Sequence, residues 1–369
     1  MRRRPIRLAG PLALVLTLAM LASACGSSDD KQSASTDGTT AAGQTQTAKE
    51  APISATLNAA GATFPKAFYE VAIAGYAKLQ PGVKVNYDAT GSGTGRQRLQ
   101  DGVVDFAGSD GLVAAADVPK YKGEFVYIPT VAAPITVSYN LSDVKDLTLD
   151  ADTIAKIFSR QVKKWDDPAI AAQNSGVKLP GTDITVAHRS DGSGTTENFT
   201  KYLVAAAPNT WTLKSGSTVE WPADTQAGNG NQGVAQIVKT TAGAVGYIDL
   251  SDANASGLKF AKIKNKSGKA VAPTVDAASA ALAAATVNAD LSYNPLNADG
   301  ADAYPITAPT WILVYKNQAD KNKGAAIKSF LKYVLGDAQK QAKDFDYAAL
   351  PTSLQQKALA QVESIVAPA

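Results

Sequence analysis

The chain has 369 residues, 45% hydrophobic, 19% charged and 7% aromatic, which excludes a wholly disordered, collagen-like or coiled-coil protein. A single cysteine, Cys25, excludes an intramolecular disulfide framework and a Cys-rich metal site, and a single histidine, His188, excludes a multi-His metal centre while leaving carboxylate sites open. The formal charge of +3 belongs to the N-terminus: residues 1–24 hold Arg2, Arg3, Arg4 and Arg7 and no acid, and taking those four from 36 basic residues leaves 32 against 33 acidic, a net of −1 with no basic surface for nucleic acid.

In chain order, the four arginines precede an apolar run, Leu8 to Ala22, that is short for a membrane span and has the form of a secretory signal over residues 1–24. Ala22-Ser23-Ala24 then leads into Cys25 and resembles a bacterial lipobox, in which the cysteine is diacylated and becomes the new N-terminus; Ala22 stands where that motif usually has Leu. The alternative is a plain signal peptide cut near Ala24, with Cys25 incidental. Residues 26–50 contain no Val, Ile, Leu or aromatic residue and cannot order themselves by burial. Residues 25–53 therefore read as an acylated cysteine and a disordered tether, and about 25 coil residues reach roughly 25–30 Å.

Beyond the tether, strand and helix patterns alternate. A helical stripe with Phe64, Phe68, Val71, Ala72, Tyr76 and Leu79 on one face follows Pro65, which suits a first turn, and Val83, Val85 and Tyr87 alternate as a strand. Further strands are expected at 125–128, 134–139, 184–187, 244–248 and 310–315, and helices at 151–158, 196–206, 233–239, 277–289 and 325–335. This order predicts an α/β protein with mainly parallel sheets and helices on both faces, its length suiting two domains.

Three glycine loops sit between a strand and a helix: Gly61-Ala62-Thr63-Phe64-Pro65, Gly91-Ser92-Gly93-Thr94-Gly95, and Asp191-Gly192-Ser193-Gly194-Thr195-Thr196. Each offers backbone N–H groups and hydroxyls at a helix N-terminus, where an anion is favoured. Each alone reads equally as a tight turn with a Ser or Thr cap. None has the Gly-Lys-Ser/Thr of a nucleotide-phosphate loop, and the GxGxG spacing is not the dinucleotide fingerprint. Arg189, just before the third loop, offers a forked pair of donors to an oxyanion; Asp191 holds that fork, caps the next helix, or does both. Asp110, after the strand-like Asp105-Phe106-Ala107-Gly108-Ser109, is either a solvated loop acid or a proton acceptor. In the second role it would accept from a protonated phosphate and repel sulfate.

Taken together, these residues resemble the high-affinity phosphate-binding proteins of bacterial Pst-type ABC transporters, over roughly residues 55–355. Besides the three loops and the Asp110 segment, the resemblance rests on Lys163-Lys164-Trp165-Asp166-Asp167, Gly243-Ala244-Val245-Gly246-Tyr247 and Tyr304-Pro305-Ile306-Thr307. It implies a two-lobed type II periplasmic-binding-protein fold with mixed or parallel sheets, helices on their flanks and two crossovers. One lobe would take 54–132 plus 303–369 and the other 133–302, with connections at 131–140 and 304–314. It implies phosphate held by Thr63, Phe64 (through its backbone N–H), Ser92, Asp110, Arg189, Ser193, Gly194 and Thr195, with Asp191 supporting Arg189. His188 is expected to pack at a strand end or rim. No cofactor is implied. The partners would be inorganic phosphate and the permease subunits and ATPase of a phosphate ABC transporter, and the place the extracytoplasmic face of the cell membrane, with Cys25 as anchor. An esterase using Ser92 or Ser193 as nucleophile, or a surface lipoprotein that has lost binding, are the readings in competition; the lone His, with no evident triad or metal cluster, stands against the first.

Overall fold

The computed structural model describes residues 52–368; the signal sequence, Cys25 and nearly all of the tether lie outside them. In chain order the strands are β1 (Ala55–Gly61), β2 (Val83–Ala89), β3 (Phe106–Ser109), β4 (Phe125–Tyr139), β5 (Thr148–Leu149) and β6 (Thr185–Arg189). There follow β7 (Gln226–Gly228), β8 (Ala244–Asp249), β9 (Lys259–Phe260), β10 (Lys262–Lys264), β11 (Ala270–Val271) and β12 (Thr307–Tyr315). The α-helices are α1 (Lys66–Leu79), α2 (Ser92–Gln100), α3 (Ala151–Phe158), α4 (Pro168–Ala171) and α5 (Gly194–Ala206), then α6 (Gly230–Thr240), α7 (Leu250–Ala255), α8 (Val275–Ala283), α9 (Lys321–Leu335) and α10 (Thr352–Glu363). Among the described residues no helix is long and apolar enough to cross a membrane.

The main sheet runs β2-β1-β3-β12-β4-β8-β6-β7, with β9 also on β4. The expected parallel pairing is found at its two ends, β2-β1-β3 and β8-β6-β7. Its middle is antiparallel, because β4 and β12 run against β3, β8 and each other. The sheet is thus mixed, and the crossing chain is the reason: β4 pairs with β12 from Phe125 to Pro134 and with β8 from Ile135 to Tyr139, so one strand serves both halves. The two short strands expected at 125–128 and 134–139 are one strand of 15 residues. Pro129 and Pro134 break the sequence pattern, since proline lacks a ladder donor. The fold places Pro129 at a register shift opposite Thr310/Trp311 and Pro134 at the changeover between partners. Both faces of β4 are covered, so nearly all its residues are buried and apolar alternation is lost.

The stripe expected on α1 is buried only in part, since Leu79 is 61% exposed and Val71 half-buried. α1 buries Phe68, Tyr69, Ala72 and Tyr76, and Tyr76 packs on Phe330 of α9 with ring centroids 5.3 Å apart. Pro65 sits at the cap position of α1 rather than within its first turn. The Asp150 carboxylate caps α3 by accepting from Thr153 N–H at 2.9 Å. α8 ends at Ala283, short of the helix expected to reach 289, and Val287 instead bridges Tyr293 across an antiparallel pair; the β-branched Thr286-Val287 suits that extended geometry.

Gly61 ends β1 with φ +149°, and a Cβ there would overlap the backbone of Gly108 in β3. Gly61→Ala is expected to lower stability by about 2–4 kcal/mol in denaturant unfolding; a loss below about 0.5 kcal/mol would show that β1 and β3 can separate at no cost.

Candidate functional site

The three glycine loops converge. Gly93 N–H donates to Gly192 C=O at 2.8 Å, joining the second loop to the third. Close approach explains the glycines: a Cβ on Gly91, which has φ +96°, would overlap the Asp191 carboxylate, and one on Gly194 would overlap Ser92 Oγ and lie 2.6 Å from Asp110 Cβ. Ser92, Ser193 and Thr195 are fully buried and Thr63 nearly so.

Arg189, at the end of β6, is buried and makes the forked pair with Asp191: Nε donates to Oδ1 at 2.8 Å and Nη2 to Oδ2, while Nη1 reaches Thr195 Oγ1 at 3.4 Å. Its backbone N–H donates to Tyr247 Oη at 3.0 Å. Burial pushes the Asp191 carboxyl up, but the hydrogen bonds and charge of Arg189, with the Gly230 N–H at 3.0 Å, outweigh it and hold the group below the usual carboxylate range. The cap of α5 is Ser193, whose Oγ accepts from Thr196 N–H at 3.0 Å. Asp191 is therefore the partner of Arg189 and not the helix cap.

Asp110 is 2% exposed. Its backbone N–H donates to Ser92 Oγ at 3.1 Å, and that hydroxyl lies 3.3 Å from Oδ2 and can donate to it. Asn198 Nδ2 donates to its carbonyl at 2.6 Å. Oδ1 is buried with no protein partner. Burial pushes the carboxyl up to about 7, against the nearby Thr310 and Ser92 hydroxyls and the charges of Arg189 and Arg96. The solvated loop acid is thereby excluded. Arg96, on α2, is tied to Ser109 Oγ and Gly111 C=O at 3.1 Å each and pairs with Glu197 of α5 at 3.3 Å.

Phe64 buries its ring against Tyr347, and its carbonyl accepts from Tyr347 Oη at 2.6 Å, fixing the first loop. His188 stacks on Trp221 with ring centroids 5.0 Å apart and its Nδ1 lies 2.9 Å from Arg189 C=O. Burial lowers its pKa, and it packs at the strand end as expected. The structure thus brings Thr63, Ser92, Asp110, Arg189, Asp191, Ser193, Gly194 and Thr195 into one cluster of loops. Among the described residues no group of three or more His, Cys, Asp or Glu side chains could hold a metal ion.

Sequence reasoning missed Asn231, at the start of α6. Its Nδ2 donates to Thr63 Oγ1 and to Thr195 Oγ1, at 3.1 Å each, and its backbone N–H lies 3.3 Å from Thr63 Oγ1. The signal was present: Gly228-Asn229-Gly230-Asn231 is a fourth strand-to-helix glycine loop, with Gly230 at φ +66°. The helix expected from 233 begins three residues earlier, which hid it.

Residues 46–338 match the family model of the PBP superfamily domain. A phosphate-binding protein PstS of Pasteurella multocida is 34% identical over 83% of this chain and 89% of its own length. This chain belongs to the PstS family of phosphate-binding proteins. A PstS of Methanocaldococcus jannaschii is 37% identical over 79% of this chain and 81% of its own. Among solved structures, a high-affinity periplasmic phosphate-binding protein with phosphate bound superposes with a TM-score of 0.70 at 22% identity, covering 83% of this chain and 93% of that one. The likeness shows the two-lobed fold.

Two outcomes follow from the buried charges. Because Asp110 is raised when folded, it favours the folded state most at low pH, and that contribution is lost as pH rises from about 4 to about 7. In phosphate-free buffer, Asp110→Asn is expected to unfold a few degrees above wild type at pH 8 and to lose that advantage at pH 4; equal Tm differences at both pH values would disprove a raised Asp110. Asp191→Ala, which leaves a buried guanidinium unpaired, is expected to cost about 3–5 kcal/mol in denaturant unfolding. A loss under 1 kcal/mol would mean Arg189 is hydrated in the folded protein.

Proposed function

We propose that this protein captures inorganic phosphate between its two lobes and delivers it to a membrane ABC permease. The observation that carries this reading is Asp110: a carboxyl buried among the anion-type loops, with Oδ1 unpartnered. A fully deprotonated anion would meet an unpaired acceptor there, at a cost of about 1–3 kcal/mol plus charge repulsion. A phosphate oxygen that still carries its proton donates to it. In this reading Thr63, the Phe64 backbone N–H, Ser92, Arg189, Ser193, Gly194 and Thr195 supply the donors, and Asp191 keeps Arg189 in place. The lobes are 54–132 with 303–369, and 133–302, joined through β4 and β12. Contacts from both lobes drive closure when the anion binds.

The reading is binding without catalysis, as in the relatives, which are named binding proteins. Each serine already has a role: Ser92 pairs with Asp110 and Ser193 caps α5. His188, engaged with Trp221, offers neither of them a base. The protein acts on the extracytoplasmic face, anchored through acylated Cys25, with the tether lifting the body off the membrane that holds the permease.

Calorimetry tests the site. At pH 8, one phosphate per chain is expected, bound about 10–100-fold or more tighter than sulfate. As pH falls through about 7, Asp110 gains a proton, becomes a donor, and the preference should narrow; Asp110→Asn should narrow it at pH 8 and remove that pH dependence. Equal affinity for the two ions at pH 8 would end the proton-acceptor argument.

A further inference from the structure

We infer that Asn231 is the positioning residue that commits the hydroxyl protons of Thr63 and Thr195 to the bound anion. The inference rests on the phosphate reading above and deepens it. A threonine hydroxyl has one proton to donate and two lone pairs to accept with. Thr63 Oγ1 receives both the backbone N–H and the Nδ2–H of Asn231. Thr195 Oγ1 receives the other Nδ2–H of Asn231 and Nη1–H of Arg189. The lone pairs of both hydroxyls are thus filled from the protein, and neither O–H has a protein acceptor. Each proton is left to point at a ligand.

The geometry also shows what this arrangement gives up. Asn231 is fully buried, and its Oδ1 has no partner, because both amide protons face the threonines. With the carboxamide reversed, Oδ1 would accept from both hydroxyls and take their protons away from the anion. The orientation found is the one that makes both hydroxyls donors. It also explains how a site with one guanidinium in direct reach holds an anion: hydroxyls aimed in advance need not reorganise when the anion arrives. The residue reaches across the sheet's two halves, since Thr63 follows β1 while Asn231 and Thr195 open α6 and α5. The two threonines are therefore aimed together only when the loops have met.

The role separates from a merely structural one by a mutant cycle in phosphate affinity, measured by calorimetry with up to millimolar phosphate. Wild type binding no phosphate would remove the functional reading itself. With wild type binding, Asn231→Ala is expected to weaken phosphate about 10–100-fold, and Asn231→Ser, which keeps one proton to donate, to lose less. In a Thr63→Val/Thr195→Val background, Asn231→Ala should change affinity less than about 3-fold. Losses that multiply in that background would show that Asn231 acts on the anion or on the fold directly. An Asn231→Ala protein that binds as tightly as wild type, or tighter, would show that the threonine protons face the carboxamide instead. If Asn231→Ala does not fold, judged by circular dichroism, the same cycle run with Asn231→Ser carries the test, with the same two outcomes.

Discussion

A carboxyl group that is 2% exposed, with one oxygen left unpaired, governs the chemistry of this site. Burial disfavours the charged form of Asp110, and Arg189 lies near enough to lower its pKa while being held by Asp191. The guanidinium thus has a partner whatever Asp110 does, and Asp110 stays free to gain or lose a proton. Had Asp110 itself paired with Arg189, its charge would be fixed and it would have no means of sensing whether an oxyanion carries a proton. In the proposed reading, the separation of the two acids, one lowered and one raised, lets a single positive side chain attract the anion while a neighbouring acid sorts anions by protonation.

That separation depends on close packing of main chain. Ser92, Asp110 and the pair Asp191 and Gly194 come from three different loops, and side chains on Gly91 or Gly194 would occupy the space where those loops meet. The loops sit at the C-terminal ends of strands from the two halves, which run in opposite directions in one sheet and so point toward each other, and the sheet is continuous because β4 passes from β12 to β8 without a break. A strand shared in this way keeps the loops of the two halves facing each other. Tyr347, hydrogen-bonded to the Phe64 carbonyl, and Tyr247, hydrogen-bonded to Arg189, brace the loop from each half behind the site.

Much of this was legible in the residues. The alternation of strands and helices, the three loops, Arg189, Asp191 and Asp110 are local patterns, and local patterns survive in a sequence. What could not be read is which way a side chain turns among near neighbours and what is brought in from far along the chain. Whether Asp191 caps α5 or pairs with Arg189 depends on where Ser193 points. Whether Asp110 is solvated depends on Asn198 and Gly194, more than 80 residues away. The prolines of β4 hid a long strand because their tolerance comes from partners, a bulge and a changeover, that no local window contains. Asn231 escaped because an amide in a turn normally signals a local backbone bond, and here it serves two side chains brought in from 168 and 36 residues away.

The chain without residues 1–24 is nearly neutral, with 32 basic and 33 acidic residues. A binding protein that attracted anions through a broad basic surface would collect them by charge alone and lose that attraction to screening salt. In the proposed site the donors are hydroxyls, helix N-termini and one guanidinium already paired with a carboxylate, all buried where solvent ions screen them poorly. Such a site has little long-range pull, so discrimination comes from geometry at contact: the number of donors aimed inward, and the one acceptor that requires a proton. The same economy of charge that left composition silent about an anion is the condition under which one proton on the ligand can decide binding.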